Sequence, residues 1–273
     1  MTEPHPNWFR RVWPPLPVWR RLDLSVLLIC IYTAGVAAFF QVIHYQPPQW
    51  GGITAALTAL VLSPLLTFRN REAYDRWWEA RRLWGQLINE SRNLMVKVKS
   101  LSAVSDTDHV IVGRTLGDFA IALKLRLRGM GGETHRPLEL SGELYRLVES
   151  WRSAGQISDQ QLLWLDPHLR ALMDVCGACE RILNSPVPLS YRALLRHGLV
   201  LYLVTLPWFV SDQLGYWSVP AIGLLAYFLM GIELTAEDVE NPFGTDGDDL
   251  ALAGFCETIR KSVEEVLATP AVP

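Results

Sequence analysis

Charge and apolarity are segregated along the chain rather than mixed. No Asp, Glu, Lys or Arg occurs from Leu24 to Phe68. The run Leu24–Ile43, LSVLLICIYTAGVAAFFQVI, is about as long as a helix needs to cross a bilayer core. HYQPPQWGG follows, and its Pro pair and Gly pair predict a tight connection. A second apolar run, Gly51–Phe68, then passes without any turn signal into RNREAYDRWWEARRLWGQLINESRN. Trp and Leu keep helical spacing there among Arg, Glu and Asp. The pattern predicts one long helix, from Gly51 to about Ser100, that leaves an apolar medium and enters water.

Residues 69–188 are soluble in character. Asp106 and Asp108 mark a loop, and helices are expected at about Val110–Leu127, Glu143–Ser153 and Ser158–Asn184, the last with Ser158 as N-cap. No period-two alternation predicts a sheet. The break Ser185-Pro186-Val187-Pro188 opens a second apolar hairpin, with one arm from near Leu189 and the other at Trp217–Ile232, ended by Glu233. An acidic tail with the turn Asn-Pro-Phe-Gly at 241–244 precedes a last amphipathic helix, about Leu250–Leu267. Asp248 or Asp249 is expected to cap that helix. The divisions are an arm at 1–23, a hairpin at 24–68, a helical region at 69–188, a hairpin at 189–234 and a tail at 235–273.

Basic residues fix an expected orientation. All 25 Lys and Arg lie at 1–23, at 69–197 or beyond 233, and none lies in the two hairpin tips. The positive-inside rule then puts both termini and the helical region in the cytoplasm, with four spans in a cell inner membrane. Trp50 and Trp217 fall where an outer aromatic belt belongs, and Trp8, Trp13 and Trp19 suit the inner interface. The Arg-Pro arm lacks the order of a signal peptide, so the first apolar run reads as a retained span. A net charge of -3 gives no basic surface for nucleic acid.

On the second span, Ala55, Ala59, Ser63 and Thr67 form a small-residue stripe that lets helices approach closely in lipid. Leu60, Pro64 and Phe68 form the adjacent apolar stripe. Pro64 has no N–H to give the Leu60 carbonyl, an oxygen tolerable in a membrane where it lines a cavity. Below them, Arg69, Arg71, Glu72, Asp75, Arg76 and Glu79 make either a solvated, ion-paired face or a charged vestibule; Glu72–Arg76 and Glu79–Arg82 have pairing spacing. Cys176-Gly-Ala-Cys179 is a CxxC, but no second CxxC or HxxxH completes a zinc site, and in a helix two such thiols read as packing residues. His44 and His197 stand apart from other ligands. No pattern of an enzyme nucleophile, phosphate loop or paired carboxylates is present.

Phe68–Asn93 and Glu240–Leu250 resemble the two signatures of the bestrophin family. The resemblance covers about Leu24–Leu267. It implies an all-helical membrane protein forming a homopentameric ion channel around a central pore, with no enzyme activity and no cofactor. The neck of that pore would be Leu60, Pro64 and Phe68, with Pro64 where a bulky apolar residue is usual. It also implies a calcium clasp after Asn-Pro-Phe-Gly, at Asp246 and Asp249. Thr245 and Gly247 stand where acids are expected, so a dependence on calcium is not expected. The permeant ion would be chloride, or a cation such as sodium in a bacterial member. The competing reading is a membrane scaffold or receptor that binds a partner through its cytosolic helices. A carrier would want an ionisable residue at mid-membrane, and none is present.

Overall fold

The computed structural model describes residues 17–43, 51–101 and 103–269, and the described residues are helical with connecting turns. The helices are α1 Pro17–Ile43, α2 Gly51–Lys99, α3 Asp106–Leu127, α4 Arg136–Ser153, α5 Asp159–Asn184, α6 Leu189–Leu214, α7 Ser218–Val239 and α8 Leu252–Ala268. Trp8, Trp13, His44 and Trp50 lie outside the described residues. The chain divides into two compact units: Met1–Asp75 with Val187–Glu240 and Asp246–Asp248, and Arg76–Pro186 with Asn241–Thr245 and Asp249–Pro273.

Among the described residues, three stretches are long and apolar enough to cross a membrane: Arg20–Ile43, Gly52–Lys99 and Leu189–Val239. The third is folded on itself. The 3-10 turn Gly215–Trp217 separates α6 from α7, and Gly215 takes φ +53°, which a side chain makes costly. Ser211 donates to the Ser218 hydroxyl across the turn at 3.1 Å, and Ser218 donates to the Gly215 carbonyl at 2.6 Å. At the far end Arg196 of α6 reaches Glu233 and Glu237 of α7, so the two helices run antiparallel. Glu233 does not end the last apolar helix as expected; α7 continues to Val239 because that carboxylate is buried against arginines rather than meeting water.

The core of the first unit joins Leu62 and Leu66 of α2 to Leu195, Leu199, Tyr202, Leu203 and Leu206 of α6 and to Ile222 and Ala226 of α7. On α1, Leu22, Thr33, Val36, Ala37 and Phe40 are buried while Leu24, Leu27, Leu28 and Ile31 are exposed. That is the helical pattern of an element with protein on one side and an apolar medium on the other. Gly223 of α7 permits a close crossing, since a Cβ there would lie 2.6 Å from the Cys30 sulfur. Pro207 lies inside α6, which continues through it, and nearby Tyr32 donates to the Val204 carbonyl at 3.0 Å while Trp208 donates to the Tyr32 hydroxyl at 2.7 Å.

The second unit is built around an apolar core that includes Trp84, Phe119, Leu144, Trp151, Leu172 and Ile259. Its helix starts follow from local chemistry. Ser105 accepts from the Asp108 N–H, so Asp106 and Asp108 open α3 instead of forming the expected loop. Acids in a first turn are favourable against the helix dipole. His135 caps α4, which begins seven residues before the expected Glu143. Ser158 and Gln161 form a full capping box on α5. The cap expected for the last helix is not found: α8 begins at Leu252 after Ala251, with no side-chain cap, so neither Asp248 nor Asp249 serves it.

Candidate functional site

Helix α2 presents its apolar stripe outward. Leu60 is 69 % exposed and Phe68 62 % exposed, with Pro64 exposed between them, while Leu62, Leu66, Arg69 and Ala73 are buried on the other side. The helix continues through Pro64 without a break. Large apolar side chains on an open helix face suit an apolar medium, a partner copy or a dry lumen alike. Ala59, Ser63 and Thr67 line a groove of about 370 Å³ with Tyr202, Leu225 and Leu229.

The charged stretch below the stripe is not one surface. Arg69 is fully buried, with no exposure at all, and is therefore not a vestibule residue. Its guanidinium meets Glu240 at 2.7 Å and Glu233 at 3.6 Å, both carboxylates being only 5 % exposed. Arg192 lies 3.7 Å from Glu240, and Arg196 lies 3.2 Å from Glu233 and 2.9 Å from Glu237. Glu240 also accepts from the Val187 N–H at 3.0 Å. Three arginines and three glutamates thus cancel in charge. They bind α2, one residue past Phe68, to α6 and to the end of α7. Taking these charges out of water is costly, and only mutual pairing with further hydrogen bonds offsets it. Nothing in the local sequence around Arg69 distinguishes this cluster, because its partners lie more than a hundred residues away.

Arg71 and Asp75 are exposed and pair loosely at 3.8 Å, and Glu72 is exposed beside them. In the second unit, Arg76 is half-buried. It donates to the Ser185 carbonyl and to the Ile182 carbonyl at 2.6 Å, satisfying the open C-terminus of α5. Glu79 pairs with Arg181 of α5. Of the six charged positions expected to face a vestibule, the structure leaves Arg71, Glu72 and Asp75 open, pairs Glu79 with Arg181, and commits Arg69 and Arg76 to packing.

The calcium reading does not fit the residues present. Asp246 belongs to one unit and Asp249 to the other. Neither joins a group of three or more converging His, Cys, Asp or Glu side chains among the described residues. Asp249 packs on the Asn-Pro-Phe-Gly turn, with its carboxylate where a Cβ on Gly244 would stand, and the turn closes through Leu250 N–H to the Pro242 carbonyl at 3.0 Å. Cys176 and Cys179 are fully buried in α5, and burial pushes both thiols up to about 12; Glu180 adds to the shift at Cys176 and Arg126 opposes it. Such thiols are poor nucleophiles.

These features define a helical membrane protein whose long second helix carries an exposed apolar stripe above a buried charge cluster. A family profile described as Bacterial/Fungal Bestrophin protein matches residues 2–265. The chain belongs to the bestrophin family. It is 32 % identical over 264 residues to a protein of Nostoc named voltage-dependent anion channel-forming protein alr2987, covering 88 % of this chain and 85 % of that one. It is 27 % identical to the Escherichia coli protein YneE of the same naming, over 95 % and 91 % of the two chains. The fold is that of a crystal structure of a bacterial bestrophin homologue from Klebsiella pneumoniae, with a TM-score of 0.83, 24 % identity and coverage of 94 % and 100 %.

Proposed function

We propose that the chain is a subunit of a homopentameric channel in the cell inner membrane that passes small inorganic anions, chloride among them. The observation that carries this reading is the outward stripe Leu60, Pro64 and Phe68, on the 49-residue helix that continues from an apolar run into a charged one. Five such stripes around an axis make a narrow ring with no polar group to replace an ion's hydration shell, and such a ring resists wetting. The groove beside Ala59, Ser63 and Thr67 receives the neighbouring subunit's helix. Arg71, Glu72 and Asp75 line the water below the ring. Their mixed signs do not select an ion, and the names of the relatives favour an anion over sodium.

In this reading α1, the first part of α2, α6 and α7 are four crossings, and both termini and the helical region of residues 69–188 are cytoplasmic. Cysteines placed at Tyr216 and Thr107 test the orientation, since both positions are exposed. An impermeant thiol reagent on intact cells should label the first and spare the second; the reverse pattern inverts the assignment. Channel activity is tested with purified protein in liposomes. Chloride flux above empty liposomes is expected, and its absence returns the protein to the scaffold reading. Calcium is not required for opening in this proposal, because the tail offers too few converging carboxylates for a useful site. Flux with chelator and with micromolar calcium should agree, and a calcium-dependent rise lost in Asp246→Ala/Asp249→Ala would restore the clasp.

A further inference from the structure

We infer that His135, Cys176 and Glu180 form a zinc site on the soluble helices, separate from the apolar stripe and from the acidic tail. Their ligand atoms, a nitrogen, a sulfur and an oxygen, all lie within 4.8 Å of one another. Cys176 and Glu180 are one helical turn apart on α5 and so share a face. His135 arrives from the cap of α4. The CxxC spacing does not show the cluster, because Cys179 is not one of its three members and the other two ligands come from outside the motif.

The geometry suits zinc. His135 Nε2 and Glu180 Oε1 are 3.1 Å apart. Two ligands at about 2.0–2.1 Å on a tetrahedral ion sit roughly 3.3 Å apart, so zinc can stand where the hydrogen of that contact now stands. Thiolate and imidazole select a borderline-soft ion over calcium or magnesium. The Cys176 sulfur is buried, while the His135 and Glu180 side chains are 26 % and 24 % exposed, so water reaches the fourth position. Arg126 donates to Glu180 and holds the carboxylate in place as an outer partner.

Binding has a defined proton balance. His135 Nδ1 accepts from the Leu138 N–H at 3.2 Å, so the neutral ring carries its hydrogen on Nε2. Zinc takes Nε2, the ring's hydrogen moves to Nδ1, and the bond from Leu138 is lost. The thiol of Cys176 loses its proton to solvent as the sulfur–zinc bond forms, so one proton is released per ion. Zinc therefore ties α4 to α5 while it uncaps α4. The Leu138 amide should exchange with solvent faster in the zinc form.

The test uses full-length protein purified in detergent, stripped with chelator and titrated with zinc by calorimetry. Cobalt serves as a spectroscopic stand-in. One zinc per chain is expected, and cobalt should give a sulfur-to-metal absorption. His135→Asn keeps a competent cap and removes the imidazole, so it should weaken zinc by about tenfold or more while α4 stays folded. Cys176→Ser should lose the cobalt–sulfur band, and Cys179→Ser should keep it. Should Cys176→Ser not fold, His135→Asn and Glu180→Gln decide the matter. Absence of saturable zinc binding in the parent, or affinity unchanged in His135→Asn and Glu180→Gln, overturns the site.

Discussion

The two units, both helical, solve opposite problems. The first hides charge and shows apolar surface: Arg69, Glu233 and Glu240 are buried while Leu24, Leu57, Leu60, Phe68, Leu201 and Phe228 stand exposed. The second hides Trp84, Phe119, Trp151 and Leu172 and carries exposed ion pairs such as Arg136–Glu143 and Arg260–Glu264. The difference teaches what surrounds each unit. In an apolar medium there is little gain in burying one more leucine, so a specific polar cluster supplies what a core supplies in water.

The sharpest way to break the contrast is Arg69→Met. Removing one arginine leaves three glutamates facing only Arg192 and Arg196, one buried negative charge uncompensated, and the expected loss is about 3–5 kcal/mol, read as failure to elute as folded protein in detergent. Arg71→Ala is the control, with a loss within about 1 kcal/mol, because its ion pair is exposed. Equal effects of the two would mean that water reaches the cluster. In the second unit Leu172→Ala leaves a cavity in a close-packed core and should cost roughly 2–5 kcal/mol, visible as faster hydrogen exchange in α5. A loss well below that range would mean that the core collapses around the gap.

Smaller effects sharpen the comparison. Ser158→Ala removes one arm of the capping box and should cost about 1 kcal/mol, with Ser158→Asn close to the parent in thermal unfolding. Leu60→Ala and Phe68→Ala should change stability by no more than about 0.5 kcal/mol, since neither side chain is packed within the subunit. The same two variants should raise chloride flux in liposomes. Unchanged flux in both would remove the stripe from the pore.

Much of the fold was legible because its signals are local. The charge-free run Leu24–Phe68 and the N-cap at Ser158 are each set by residues close in sequence. The start of α3 was misread because Asp106 and Asp108 suit a loop and a first helical turn equally, and only the Ser105 cap decides. The charged part of α2 was legible as helix but not as environment. An arginine on an amphipathic helix looks the same whether it meets water or a distant acid, and Arg69 meets Glu240, 171 positions away. The outward stripe could be read because its spacing is regular. The group at His135, Cys176 and Glu180 could not, because it exists only once α4 and α5 are packed together.

The turn at Gly215 carries a consequence for inheritance. Its backbone, at φ +53° and ψ -133°, is one that an L side chain adopts only under strain. No atom within 3.4 Å obstructs a side chain there; the nearest, the Gln41 amide nitrogen, is 3.8 Å from where a Cβ would stand. A mutational scan scored by burial would rate the position as permissive. A scan scored by survival should rate it with the core, because every codon change that replaces this glycine alters the angle at which α6 hands the chain to α7.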